Sequence, residues 1–316
     1  MRDARDYTSA VVGWGRDIVL ASHFPYIQVR QVVFVLSTNY AGSHLLSQLL
    51  GAHSMCRSVG ELHNLRKYSL RRNRSDDVES EFGVHPAFDG LVRLPVSAWH
   101  SRIFDNLQTD EPRVWTLIDN SKRTVWAVQF VGHREFESQY IHLVRDPRAL
   151  VRRWLVTYRS GAARRRQRIR LMREAPRFTG VALMGEDADV YRYKWLTSNR
   201  RITRFLQRLP ARTSIVTYRD LVLETRSTLE SLMTRLRLEF EPAQLGYGNA
   251  FMTGTRKRRY TSFARESLIE LDTRWQHDLS PVQIRAIEDD SAIRRYLGAL
   301  QIEMTETGLT KRGAAR

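Results

Sequence analysis

Residues 32–50, VVFVLSTNYAGSHLLSQLL, read as a buried strand, a small-residue loop and an amphipathic helix in direct succession. Val32–Leu36 is an unbroken apolar run of strand length, as expected of a strand covered on both faces. Ser37, Thr38, Asn39, Tyr40, Ala41, Gly42 and Ser43 form the loop, and Leu45, Leu46, Leu49 and Leu50 follow at helical spacing. Small residues let backbone N–H groups turn inward, and the positive end of the next helix dipole points at the same spot. Ser37, Thr38, Ser43 and His44 add side-chain donors. Two readings stand: an anion-holding loop, or a plain strand-to-helix turn with Ser43 as N-cap. The loop contains neither lysine nor arginine, and no GK[ST] follows its glycine, so it is not a Walker loop.

Working outward, Met55–Val59, Trp115–Ile118, Tyr140–Val144 and Ser214–Tyr218 also read as short buried strands. Segments with helical spacing separate them, such as Leu229, Leu232, Met233 and Leu236. This alternation predicts an α/β fold, a central parallel sheet flanked by helices, with its ligand crevice beyond the carboxyl ends of the strands. Trp115–Ile118 runs into Asp119-Asn120-Ser121-Lys122, and Tyr140–Val144 runs into Arg145-Asp146-Pro147-Arg148. Three strand ends thus offer a donor-rich loop, a lysine and two arginines. Such a set suits a nucleotide-like polyanion, with Arg145 or Arg148 forking onto phosphate.

Composition narrows the partners. The formal net charge of +17 favours anionic ones: nucleic acid, nucleotides, sulfated or phosphorylated molecules, or a membrane surface. No nucleic-acid motif accompanies it, and the scattered aromatics form no stacking pattern, so specific nucleic-acid binding is not expected. Cys56 is the only cysteine, which excludes an intramolecular disulfide and a cysteine-based metal cluster. The first residues lack the apolar core of a secretory signal, and no stretch reaches 18 consecutive apolar residues, so a cytoplasmic protein is expected. The chain reads as one domain over 1–316, with a core from about residue 30 to about residue 300. Residues 66–90 and 160–190 are excursions from it, and 308–316 is a frayed tail. The run GAARRRQRIRLMRE reads as a solvated helix face, or as a contact for an acidic acceptor or an anionic membrane. Trp154, Trp195 and Trp275 read as core. Nothing in the sequence sets an oligomeric state.

The order of these pieces resembles the sulfotransferases that use 3'-phosphoadenosine 5'-phosphosulfate (PAPS). STNYAGSHLLSQLLGAHS is similar to that family's 5'-phosphosulfate loop, often PRSGST or PKSGTT, and its Leu-rich helix. IDNSK at 118–122 is similar to the VDSSK-like turns of bacterial members, and LVRDPRALVRRWL to the 3'-phosphate segment that begins with Arg at a strand end. KWLTSNRRI, with Trp195 and Asn199, and VTYRDL, with Tyr218, resemble the W..N and YEDL stretches. Tyr247-Gly248-Asn249 and the cluster Arg256, Lys257, Arg258 and Arg259 resemble the late GN-basic segment that closes over the nucleotide. The resemblance runs from about residue 32 to about residue 300 and implies a P-loop-like sulfotransferase fold. It also implies PAPS as donor, 3'-phosphoadenosine 5'-phosphate (PAP) as product, no metal, and nucleotide contacts from residues 37–44, Arg145, Arg153, Tyr218, Asn249, Arg256, Lys257 and Arg258. Two positions depart from the family. Tyr40 stands where the first loop usually carries Lys or Arg, and Arg153 where a serine usually touches the 3'-phosphate.

In-line sulfuryl transfer needs a base for the acceptor proton and positive charge around the sulfonate and the leaving oxygen. Glu61, in SVGELHNL, follows a strand and resembles the glutamate after glycine in protein-tyrosine sulfotransferases. The alternatives for Glu61 are a solvated carboxylate or an arginine partner, and His63 is the rival base. His44 touches the sulfonate or caps the helix. Lys122 is the substitute for the missing first-loop cation. The acceptor is a hydroxyl or amine of a small molecule, glycan, lipid or peptide. Competing readings are an ATP- and Mg²⁺-dependent P-loop-like phosphotransferase, for which Asp119 is the candidate metal carboxylate, and a catalytically impaired anion-binding relative.

Overall fold

The computed structural model describes residues 29–65, 85–249 and 269–312. Each of the five apolar runs is a strand. β1 (Gln31–Ser37) leads through the loop into α1 (Ser43–Gly51), and β2 (Cys56–Gly60) follows. Next come α2 (Trp99–Leu107), β3 (Thr116–Lys122), α3 (Thr124–Ala127) and β4 (Glu137–Val144). Four helices succeed β4: α4 (Pro147–Thr157), α5 (Gly161–Glu174), α6 (Thr179–Met184) and α7 (Asp187–Leu206). β5 (Thr213–Thr217) then runs into α8 (Tyr218–Leu223) and α9 (Thr225–Arg235). Beyond residue 268 lie α10 (Trp275–Asp278), α11 (Pro281–Glu288), α12 (Ser291–Ala299) and an antiparallel pair, β6 (Ile302–Met304) and β7 (Leu309–Lys311).

The five long strands form one parallel sheet in the order β2-β3-β1-β4-β5. β1, at its centre, is buried along its whole length, which is why its sequence is apolar without alternation. Val33 and Val35 face α1 and α9, packing with Leu46, Leu49, Leu229 and Met233. Val32, Phe34 and Leu36 face the other way, into Ile103, Phe104, Trp126, Phe130 and Tyr140. A further cluster joins α4, α7 and the C-terminal helices around Trp154, Trp195 and Trp275, so all three tryptophans are core residues as expected.

One boundary differs from the sequence reading. β3 continues through Asp119 to Lys122, so IDNSK is strand rather than turn. Its register against β1 jumps between Phe34 and Leu36, and against β2 between Ser58 and Gly60. Such an irregularity re-aims side chains near a strand end. The arginine run is helix α5, held to the body by Ala163 and Leu171.

Candidate active site

The carboxyl ends of β1, β2, β3 and β4 carry most of the candidate residues that the structure describes. After β1 the chain turns through Tyr40 at φ 70° and Gly42 at φ 101°. A β-carbon on Gly42 would stand 2.5 Å from the Tyr218 ring, so this position requires glycine for conformation and for space. The N-cap of α1 is Gly42, not Ser43, and no side chain caps the helix. That corrects the plain-turn reading: the first-turn N–H groups of α1 are not claimed by a capping side chain.

Glu61 follows β2, and Lys122 ends β3 in a left-handed conformation, φ 67°. The Lys122 ammonium donates to Glu61 Oε1. His44, in the first turn of α1, also meets Glu61 Oε1, with its Nε2 3.2 Å away. Asn120 Nδ2 lies 3.1 Å from His44 Nδ1, with the amide as the donor. Three strand or helix ends thus converge on one carboxylate. Burial alone would raise the Glu61 pKa; the His44 hydrogen bond and the Lys122 charge outweigh it and hold the carboxyl well below the usual carboxylate range.

Arg145 follows β4 and is nearly buried. Its Nη1 donates to the Tyr40 carbonyl at 2.8 Å and its Nη2 to Asp272 at 2.9 Å. The guanidinium lies 4.2 Å from the centre of the Tyr218 ring, the same ring that covers Gly42. Its Nε is buried with no acceptor among the described residues. Behind it, Trp195 Nε1 donates to the Arg145 carbonyl at 2.8 Å, and Asn199 receives a hydrogen bond from His142 on β4. The W..N pair is therefore a brace between α7 and the end of β4. Arg148 is not part of the site: it is buried, bonded to Asp146, Glu288 and the Thr305 carbonyl, and stacked on Trp275. All its directions are taken by structural partners, so the reading of Arg148 as a phosphate ligand is corrected.

The two departures from the family pattern touch each other. The Arg153 guanidinium lies 4.9 Å from the Tyr40 ring centre and forms no ion pair among the described residues. Tyr158, just after α4, has its pKa raised, chiefly by burial. Ser37 and Thr38 are buried at the loop base, where Ser37 Oγ donates to the Thr38 carbonyl, and Ala41 is wholly buried.

His63 is buried, its backbone N–H donating to Ser121 Oγ and its ring tilted toward Trp126 at 6.4 Å. Asp119 is fully buried and its oxygens accept from His100, Trp126 and Ser121. Asn249 closes a 3₁₀ run, Pro242–Asn249. Arg256, Lys257, Arg258 and Arg259 lie outside the described residues. Sequence reasoning missed Asn120 and Asp272. Asn120 was readable, since it lies two residues before Lys122 on the same strand; Asp272 has no local signal. A cavity of about 810 Å³ beside β5, with His142, Ile215 and Leu232 in its lining, contains none of the candidate residues. The site is therefore located by its chemistry, not by volume.

Residues 32–242 match the profile of the Sulfotransferase family, and the chain belongs to that family. Its fold is similar to the sulfotransferase domain from the curacin biosynthetic pathway, with a TM-score of 0.56 at 21% identity, over 88% of this chain and 99% of that one. It is also similar to the sulfotransferase domain of the Synechococcus PCC 7002 olefin synthase, with a TM-score of 0.51 at 20% identity, over 83% and 94% of the two chains. At these identities the likeness concerns the fold. No curated protein matches the sequence significantly.

Proposed function

We propose that the protein transfers a sulfuryl group from PAPS to a hydroxyl or amine of an acceptor. The observation that carries this reading is the convergence of Glu61, Lys122 and His44 beside an uncapped helix N-terminus. The fit to a nucleotide rests on Arg145, whose buried Nε lacks an acceptor while its other nitrogens tie it to the loop and to Asp272. An anionic oxygen would complete it. Tyr218 and the α1 N-terminus supply the adjoining wall.

The donor brings the sulfuryl group and a phosphate leaving group. The acceptor atom bonds to sulfur as the bridging sulfur–oxygen bond breaks; the electron pair leaves with the phosphate and the acceptor proton goes to Glu61. In the arrangement described, Lys122 and His44 make Glu61 a weak base. Once the Lys122 ammonium turns to the sulfonate oxygens, burial acts on Glu61 with less opposition and its proton affinity rises. One ammonium then serves both partners of the reaction. Arg153, beside Tyr40, provides the charge that the loop itself lacks.

The ATP- and Mg²⁺-dependent alternative needs a free carboxylate at a strand end. Asp119 is already saturated by His100, Trp126 and Ser121. Incubation with ³⁵S-labelled PAPS and a panel of phenols, sugars and amines tests the proposal. Label is expected in at least one acceptor, and Lys122→Ala is expected to slow transfer about 10²-fold or more, the scale of a lost oxyanion donor. Transfer at the wild-type rate by Lys122→Ala would remove Lys122 from the reaction.

A further inference from the structure

β5 is the last strand of its sheet, and among the described residues its outer edge pairs with no other strand. β7 comes close, with the Lys311 N–H donating to Asp220 Oδ2 at 3.0 Å, but its strand partner is β6. Sheet edges are normally kept from pairing with other chains by charges, proline or a bulge. The sequence of β5, TSIVT, contains no charge and no proline. Its register against β4 runs without a shift from Tyr140 opposite Thr213 to Val144 opposite Thr217. Arg235 Nη2 donates to the Thr213 carbonyl at 2.9 Å, and no other side chain among the described residues bonds to the β5 backbone.

The cavity of about 810 Å³ lies along this edge, and all five residues of β5 line it. Leu206 of α7 stands on one face of the sheet, and Thr228, Ser231 and Leu232 of α9 stand on the other. The edge is thus the floor of a cleft about 17 Å long, with backbone donors and acceptors along it. Its charges are divided by end. Arg235, at the amino end of β5, is exposed and forms no ion pair among the described residues. Asp220 and Glu224 lie past the carboxyl end, where exposed Lys311 joins them.

We propose that this cleft takes an extended segment of another protein, which adds to β5 as a further strand and sets an acidic residue against Arg235. Main-chain hydrogen bonds supply affinity in this mode, and the walls select alternate side chains. Charge complementarity at Arg235 fixes which end of the segment is acidic. A second copy of this chain does not fit, because its β5 lies at the floor of the same cleft and two recessed edges cannot meet. A polyanion does not fit either, since it would meet the Asp220 and Glu224 carboxylates. The cleft contains none of the residues placed in the reaction.

Panning a displayed library of random peptides, each about nine residues long, on the full chain tests this. Peptides rich in β-branched residues with an acid near one end are expected to be selected. On binding, a selected peptide is expected to slow hydrogen exchange at the amides of β5. Arg235→Glu, which sets like charges together, and Ser231→Trp, which fills the cleft from its α9 wall, are each expected to weaken binding at least about tenfold. Both side chains are exposed, and an unchanged melting temperature confirms that each variant is folded. Selection of no peptide would overturn the proposal. So would selected peptides that Ser231→Trp leaves fully bound, or a concentration-dependent dimer that protects β5 in their place.

Discussion

Lys122 and Glu61 are 61 residues apart in sequence and share one hydrogen bond at the mouth of the crevice. Their pairing sets the charge state of the site, and a pH profile reads it. Glu61 has its pKa lowered, so it is ionised throughout the neutral range and loses its charge only well below the ordinary carboxylate value. Lys122→Met removes a lowering influence and leaves burial in place, so the Glu61 pKa moves up. The acid limb of kcat/KM is therefore expected to shift to higher pH in this variant, beyond the fall in rate. An unshifted limb would separate Glu61 from Lys122 in solution. Gly42 offers a second residue-scale prediction. Gly42→Ala adds a β-carbon against Tyr218 at a φ of 101°, and is expected to lower PAP affinity at least about tenfold by displacing the ring that also stacks on Arg145. Wild-type affinity in that variant would show that the loop tolerates a different turn.

At the scale of elements, the brace between α7 and β4 holds two buried titratable groups. His142 lies in the sheet, its Nε2 bonded to Asn199 and its Nδ1 without a partner among the described residues. Burial pushes its pKa down to about 4, the Asn199 hydrogen bond opposing only in part. The unfolded chain takes up this proton near pH 6.5 and the folded chain does not until about pH 4. Stability is therefore complete above pH 6.5 and falls as pH drops toward 4, by on the order of 3 kcal/mol from this group. Urea unfolding at pH 7 and 4.5 is expected to show a loss in the wild type that is smaller by about 2 kcal/mol in His142→Gln. Lys194, on α7, sits over the rings of Trp154 at 4.1 Å and Tyr158 at 4.6 Å with no hydrogen-bond acceptor among the described residues. Burial lowers its pKa to about 7, so its ionised form costs stability most fully below that pH, and the cost fades as pH rises toward 10.5. Lys194→Met is expected to stabilise the fold by about 2 kcal/mol at pH 7 and less at pH 10, measured by the same unfolding. The strands themselves were legible in the sequence because β1, β3 and β4 are buried on both faces and so carry continuous apolar runs. What was not legible is what lies opposite. The two arginines of RDPR look alike locally, and only Glu288, Thr305 and Trp275, more than a hundred residues on, make Arg148 structural.

For the whole molecule, the sheet order brings four strand ends together, and this turns dispersed residues into a site. β3 and β4 flank β1, so Lys122 and Arg145 approach the first loop from opposite sides. The loop's lack of a cation was plain from the sequence. That Arg153 stacks on the substituting Tyr40 required the fold, because α4 must return over the loop to bring them together. The net charge of +17 draws anions generally and therefore discriminates poorly between them. In the proposed reading, selectivity comes from Arg145, the α1 N-terminus and Tyr218. The most direct measurement is a thermal-shift titration of the wild type and Arg145→Ala with PAP and with ATP–Mg²⁺. Saturable stabilisation of the wild type by PAP is expected, about 2.7 kcal/mol at a hundredfold excess over Kd, with little response to ATP–Mg²⁺ and a strongly weakened response in Arg145→Ala. No shift with millimolar PAP, or an equal shift with ATP–Mg²⁺, would contradict a PAPS-dependent site at these strand ends.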